Sequence, residues 1–165
     1  MAVDSRIGAE SFFKVIERLR DKLLEHPRVS TVTTGDLSDV DLVKQTIFPL
    51  AHIIVTQANF NSTVINYDVS VLIMDIVQQD VRDVGGEEPS IYQGDNELYV
   101  LNTCINVGNH LTDALFNGDL YDGNTFVERS SVTAEPFRDR FENLVAGWSF
   151  NFTITVRNNI DRCNS

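Results

Sequence analysis

Apolar residues recur at every second position through two long segments of this chain, residues 63–75 and residues 148–157. That alternation is the period of a β-strand with one buried and one wet face. In the second segment Trp148, Phe150, Phe152, Ile154 and Val156 fall on one side, and Ser149, Asn151, Thr153, Thr155 and Arg157 on the other. The aromatic side reads as core, since aromatic residues at period two suit a buried sheet face. The polar side tolerates water or a neighbouring subunit. Residues 48–58 are apolar and β-branched, and Asn59, Phe60, Asn61 and Ser62 then supply turn residues. Together with the strand over 63–77 this predicts an antiparallel hairpin.

Helical spacing governs two other stretches. Over residues 10–26, Phe12, Ile16, Leu19 and Leu23 share one face, flanked by Val15 and Leu24, until His26-Pro27 ends the helix. A second helix spans about residues 95–116, capped by Asp95 or Asn96 and closed by Gly118. Its expected inner face is Leu98, Leu101, Ile105, Gly108 or Leu111, and Leu115. A short strand over 29–34 stops at Gly35-Asp36, and a loop runs on through Asp41. Residues 126–134 alternate as a strand that Pro136 is expected to break, with 137–145 connecting to the final strand. Residues 78–96 place Gly85, Gly86, Pro89 and Gly94 among Asp80, Asp83, Glu87, Glu88 and Asp95, the composition of a mobile acidic loop. The order α, β, β-hairpin, α, β, β predicts an α+β fold. In it, a largely antiparallel sheet of about 4–5 strands is covered on one face by two main helices.

A chain of 165 residues, 42% hydrophobic and 22% charged, fits a single domain over 1–165 with a real core. The net charge of −11 argues against a surface that neutralises phosphates, so specific nucleic-acid binding is not expected. The basic residues Lys14, Arg18, Arg20, Lys22 and Arg28 nevertheless cluster on and just after the first helix. No charged-then-apolar leader and no run of membrane-spanning length occurs, which predicts a protein made in the cytoplasm and not inserted in a membrane. Cys104 and Cys163 are then expected as free thiols, and the sequons at Asn61 and Asn151 carry no weight without a secretory route.

Catalytic chemistry needs a nucleophile with a base in reach, and a metal needs converging ligands. His26 precedes a proline, His52 lies in an apolar strand, and His110 lies on the second helix on a different face from Cys104. Asp36, Asp39 and Asp41 approach a cation loop, but the sixth and twelfth positions are Asp41 and Ile47 where calcium loops use glycine and glutamate. Gly85-Gly86 has no following lysine and no strand-to-helix setting for a phosphate. The expectation is a chain with no catalytic set, no cofactor and no metal, and not an enzyme.

The texture of the whole chain resembles a family, the small tail-terminator and neck-completion proteins of tailed bacteriophages. The resemblance is carried by the opening helix around residues 12–19, the proline-and-valine segment 26–32, the hairpin start 48–55, the long second helix, and the closing strand 147–154. It is one of order rather than of a short invariant motif. It implies a structural virion protein at the neck and tail, assembled in the host cytoplasm as a homo-oligomeric ring of six-fold type. Such a ring caps the tail tube, joins it to the head or a connector protein, and lets DNA pass without specific binding. A head-to-tail connector or stopper ring of the same neck is the alternative within this class. A ligand-binding α+β domain, or a small enzyme with His52, His110 and a carboxylate around one cleft, remains open outside it. For the ring reading the expected subunit-interface residues are Lys14, Arg18 and Lys22, meeting Asp80, Asp83, Glu87 and Glu88 of a neighbour. Asn59, Phe60 and Asn61 at the hairpin tip are the expected axial contacts.

Overall fold

The computed structural model describes residues 9–39, 47–78, 96–118, 125–126, 131–139 and 145–158. Helix α1 (Ala9–Leu24) leads into the short strand β1 (Thr31–Thr34) and a single 3-10 turn at Leu37–Asp39. The hairpin strands β2 (Leu50–Phe60) and β3 (Val64–Ile76) follow, then helix α2 (Glu97–Asn117). Two outer strands, β4 (Thr125–Phe126) and β5 (Thr133–Asp139), precede the closing strand β6 (Val145–Arg157). The protein is α+β, with both main helices and roughly the element order that the hydrophobic pattern predicts; where one strand over 126–134 and a connection over 137–145 are expected, β4 covers only Thr125–Phe126 and β5 runs on through Asp139.

All six strands form one sheet in the order β1-β2-β3-β6-β4, with β5 also on β6. β5 pairs with Val145 to Asn151 and β4 with Thr155 and Val156, so the two share the outer edge of β6 and the sheet is five positions wide. Every pairing is antiparallel except β1 with β2. β3 and β6 run beside each other without a register break from Val64↔Arg157 to Ile76↔Val145 and form the spine of the molecule.

The helices cover one face of the sheet, α2 over β3 and β6 and α1 over β1 and β2. Alternate residues Ile65, Tyr67, Val69, Val71 and Ile73 of β3 and Phe150, Phe152, Ile154 and Val156 of β6 meet Val15, Leu19 and Leu23 of α1 and Val107 and Leu111 of α2. Burial of such side chains contributes roughly 1.5–3 kcal/mol each relative to exposure. Trp148 packs at the margin of this core, and its Nε1–H donates to the Leu101 carbonyl at 2.9 Å, which satisfies the indole.

Three sequence expectations need correction. The inner face of α2 is Val100, Cys104, Val107, Leu111 and Leu115 with Thr103, Gly108 and Ala114, whereas Leu98 is 44% exposed and Leu101 and Ile105 only flank the core. Both sets have helical spacing, and cross-sheet packing against Phe150 and Ile73 decides between them. Pro136 does not break a strand but lies inside β5, paired with Trp148. An edge strand has one side free of ladder bonds, where a missing N–H costs nothing. The hairpin also turns later than expected, with the strands continuing to Phe60 and from Val64.

The sheet face away from the helices divides in two. Toward the ends of β2 and β3 near Leu50 and Met74, those residues join Phe48 and Val145 in a second small core, with Leu37, Ile47, Leu72, Ile76 and Phe137 packed around it. Toward the hairpin tip the same face is polar.

Candidate assembly surfaces

Polar side chains on the open half of the sheet are linked across the strands. Thr153 Oγ1 donates to Asp68 Oδ1 and Thr155 Oγ1 to Asn66 Oδ1, both at 2.8 Å, while the hydroxyls of Ser70 and Ser149 lie 3.1 Å apart. Each pair joins β3 to β6 and holds its side chains in fixed orientations. The result is a hydrophilic, hydrogen-bonded platform carrying the carboxylate of Asp68.

The hairpin tip is exposed and anchored at its base. Residues 56–63 are all exposed, and Phe60 keeps 74% of its surface. Asn61 N–H donates to the Val64 carbonyl at 2.8 Å, and Asn158, just past β6, donates its backbone N–H to Thr63 O at 2.9 Å and its amide to Asn61 O at 3.0 Å. Of the expected axial contacts, Asn59 and Phe60 thus end β2 and Asn61 begins the turn.

On α1, Lys14 is exposed while Arg18 and Lys22 are half-buried. Lys22 is ion-paired with Glu25 at 2.9 Å, and Arg20 reaches Asp21 at 3.1 Å and Glu17 at 3.9 Å. The basic cluster is therefore interleaved with its own counter-charges. Exposed pairs of this kind are worth little to stability but lower the net positive field of the helix. The expected partners Asp80, Asp83, Glu87 and Glu88, like Cys163, Asp41 and Gly85-Gly86, lie outside the described residues.

The three histidines separate into two places. His52 is fully buried and ties the parallel edge together: its Nδ1 lies 2.7 Å from Thr33 Oγ1 and its Nε2 3.1 Å from the Gly35 carbonyl. Nε2–H therefore donates to Gly35, and Nδ1 accepts from the threonine hydroxyl. Burial holds its pKa below the ordinary value, opposed by the bond to Gly35 and by Asp36. His26 and His110 instead meet edge-on between the two helices, centroids 5.5 Å apart, with Glu25 Oε2 4.0 Å from His110 Nε2. The cluster of His52 with His110 and a carboxylate does not form. Pattern reading missed the His26–His110 contact, because only the packing of the turn after α1 against α2 brings those positions together.

The remaining titratable groups of note are structural. The Cys104 thiol is buried beneath α2 and pushed up to about 12 by desolvation and the nearby Asp75 carboxylate, so it is a poor nucleophile. Asp75 itself is raised by burial, against a bond from the Ile76 N–H at 2.8 Å. Asp36 accepts from the Ser38 N–H at 2.9 Å and closes the turn after β1. Among the described residues no group of three or more His, Cys, Asp or Glu side chains is placed to hold a metal ion. No described helix is long and apolar enough to cross a membrane. Comparison with known proteins finds no matching family model and no matching curated protein.

Proposed function

We propose that this chain is a structural virion subunit that assembles into a ring at the neck or tail end of a tailed bacteriophage. In that role it caps the tail tube and presents a surface to the head or connector. The observation that carries the reading is the architecture: α, β, β-hairpin, α and then the strands β4, β5 and β6, with two helices on one sheet face, a fixed polar platform on the other and an exposed hairpin tip. An opening helix, a hairpin, a long second helix and a closing strand are the features that the family resemblance implies. The role asks for rigid, broad surfaces rather than a cleft, and a sheet whose spine pairs over its whole length supplies them. Rings form when a heterologous contact closes by rotation. The net charge of −11 suits a channel through which DNA slides without sticking.

The test is the solution mass of the purified chain, by light scattering on size exclusion, alone and after addition of tail tubes. A ring-sized species, or a monomer converted to one by the tubes, is expected. A chain indifferent to tubes at every concentration overturns the reading.

A further inference from the structure

The two edges of the sheet are built differently. On the outer side of β6, β5 carries Glu135, Pro136 and Arg138, with Arg138 paired to Glu97, and charge and proline are the usual means of keeping an edge from pairing. On the other side, β1 pairs with β2 only as far as Ile53, and beyond it no described strand lies along β2. The exposed stretch there reads Thr56, Gln57, Ala58, Asn59, Phe60, within a longer stretch, residues 45–67, that holds no Asp, Glu, Lys or Arg. In a chain this acidic no other uncharged run is as long.

The ladder fixes what this edge offers. Hydrogen-bonded and non-bonded pairs alternate along an antiparallel pair. Because Asn61 N–H bonds to Val64 O, Asn59↔Asn66 is a bonded pair and Phe60↔Ile65 and Ala58↔Tyr67 are not. Ala58 and Phe60 therefore direct their N–H and C=O groups away from β3, toward the open edge. Thr56, whose hydroxyl donates to Asp68 O at 3.1 Å, sits in the register shift between Val55 and Gln57 that ends the straight segment.

We propose that this outer edge of β2 is a self-association edge, on which the same edge of a second copy lies antiparallel, so that two sheets join across a two-fold axis at Ala58. Two copies carrying −11 each repel overall, and a homotypic contact needs a surface where like charge does not oppose it. This segment meets that need. Its sequence is self-complementary in the antiparallel sense: Ala58 faces Ala58, Gln57 faces Asn59, and Phe60 covers the far end. The inference stands apart from the ring reading, because a two-fold contact joins copies in pairs and a ring needs a separate rotational contact.

The experiment is sedimentation velocity on the full chain across a range of concentrations. Wild type is expected to pass from monomer toward dimer. Ala58→Pro, which removes an outward N–H and leaves the bonds to β3, and Phe60→Glu are both expected to lose the dimer at an unchanged melting temperature. In a Cys163→Ser background, Ala58→Cys is expected to oxidise to a disulfide-linked dimer, since Cα atoms of a bonded antiparallel pair lie about 5.5 Å apart, within disulfide reach. Ser62→Cys, in the turn, is expected not to. Wild type monomeric throughout, variants that associate like wild type, or cross-linking as fast from Ser62→Cys would each overturn the proposal. A larger ring that both variants retain would also remove the hairpin contact while leaving the ring reading in place.

Discussion

His52 shows how a residue that looks chemical in the sequence is structural in the fold. Both ring nitrogens are engaged, with Thr33 and Gly35, and the ring is buried, so the imidazole is held neutral. The unfolded chain titrates near 6.5, and the folded pKa lies lower for His52 and also for His26, where desolvation and then His110 and Arg28 lower it. Between those values the unfolded state binds more protons. The stability these histidines leave intact above pH 6.5 is therefore lost as pH falls through and below it. Asp75 works with the opposite slope in a lower window, because a carboxyl raised by burial favours the folded state at acid pH and loses that advantage as pH climbs from 3.8. Denaturant titrations in steps from pH 8 to pH 5 are expected to show stability falling below pH 6.5. His52→Gln is expected to flatten part of that fall while costing about 2 kcal/mol at neutral pH through its imperfect bonds. An unchanged slope in the variant would assign the pH dependence elsewhere.

At the scale of elements, two glycines set how closely neighbours approach. A Cβ on Gly108 of α2 would lie 1.8 Å from Phe150 Cζ, and one on Gly147 of β6 would lie 1.9 Å from the Ile73 carbonyl oxygen and 2.8 Å from Met74 Cα. At Gly108 a buried ring has to move, and at Gly147 backbone of the central strand pair. Gly108→Ala is expected to cost about 1–3 kcal/mol as overpacking, partly offset by about 1 kcal/mol of helix propensity. Gly147→Ala is expected to cost more, measured as the shift in urea midpoint. Neither contact was legible in the sequence, where Gly108 was only a possible inner-face position and Gly147 only a strand start. What was legible followed from period. The alternation over 148–157 put Phe150, Phe152, Ile154 and Val156 on the buried side, and the His26-Pro27 and Gly118 signals placed the helix ends. The period failed where burial was two-sided. Leu72, Met74 and Ile76 stand on the face that alternation predicts to be wet, and they are packed because Phe48, ahead of β2, joins Leu50 and Val145 in a small core at that end of the sheet. The basic cluster on α1 is legible as composition, but its pairing with Glu17, Asp21 and Glu25 depends on side-chain rotamers that composition does not carry.

For the whole molecule, charge separates the two kinds of association by the sign of their salt dependence. Like-charged copies repel through water over about 8–10 Å at moderate ionic strength, and added salt screens that repulsion. The β2 edge carries no charged side chain of its own, so salt removes an opposing force there and nothing favourable. Contacts between the basic side of α1 and the acidic residues Asp80, Asp83, Glu87 and Glu88 of a neighbour would behave in the opposite way, because screening weakens the attraction that forms them. Raising NaCl from about 50 to about 500 mM is therefore expected to tighten the two-fold dimer and to loosen a ring held through Lys14, Arg18 and Lys22. Sedimentation at both salts reads the two effects as distinct species. Arg18→Glu with Lys22→Glu is expected to abolish ring formation at low salt and to leave the dimer as it was. A ring that tightens with salt and survives the double reversal would show that its subunits meet through uncharged surface, and would point to the polar platform of Asn66, Ser70, Asn151 and Thr153 as the face that joins them.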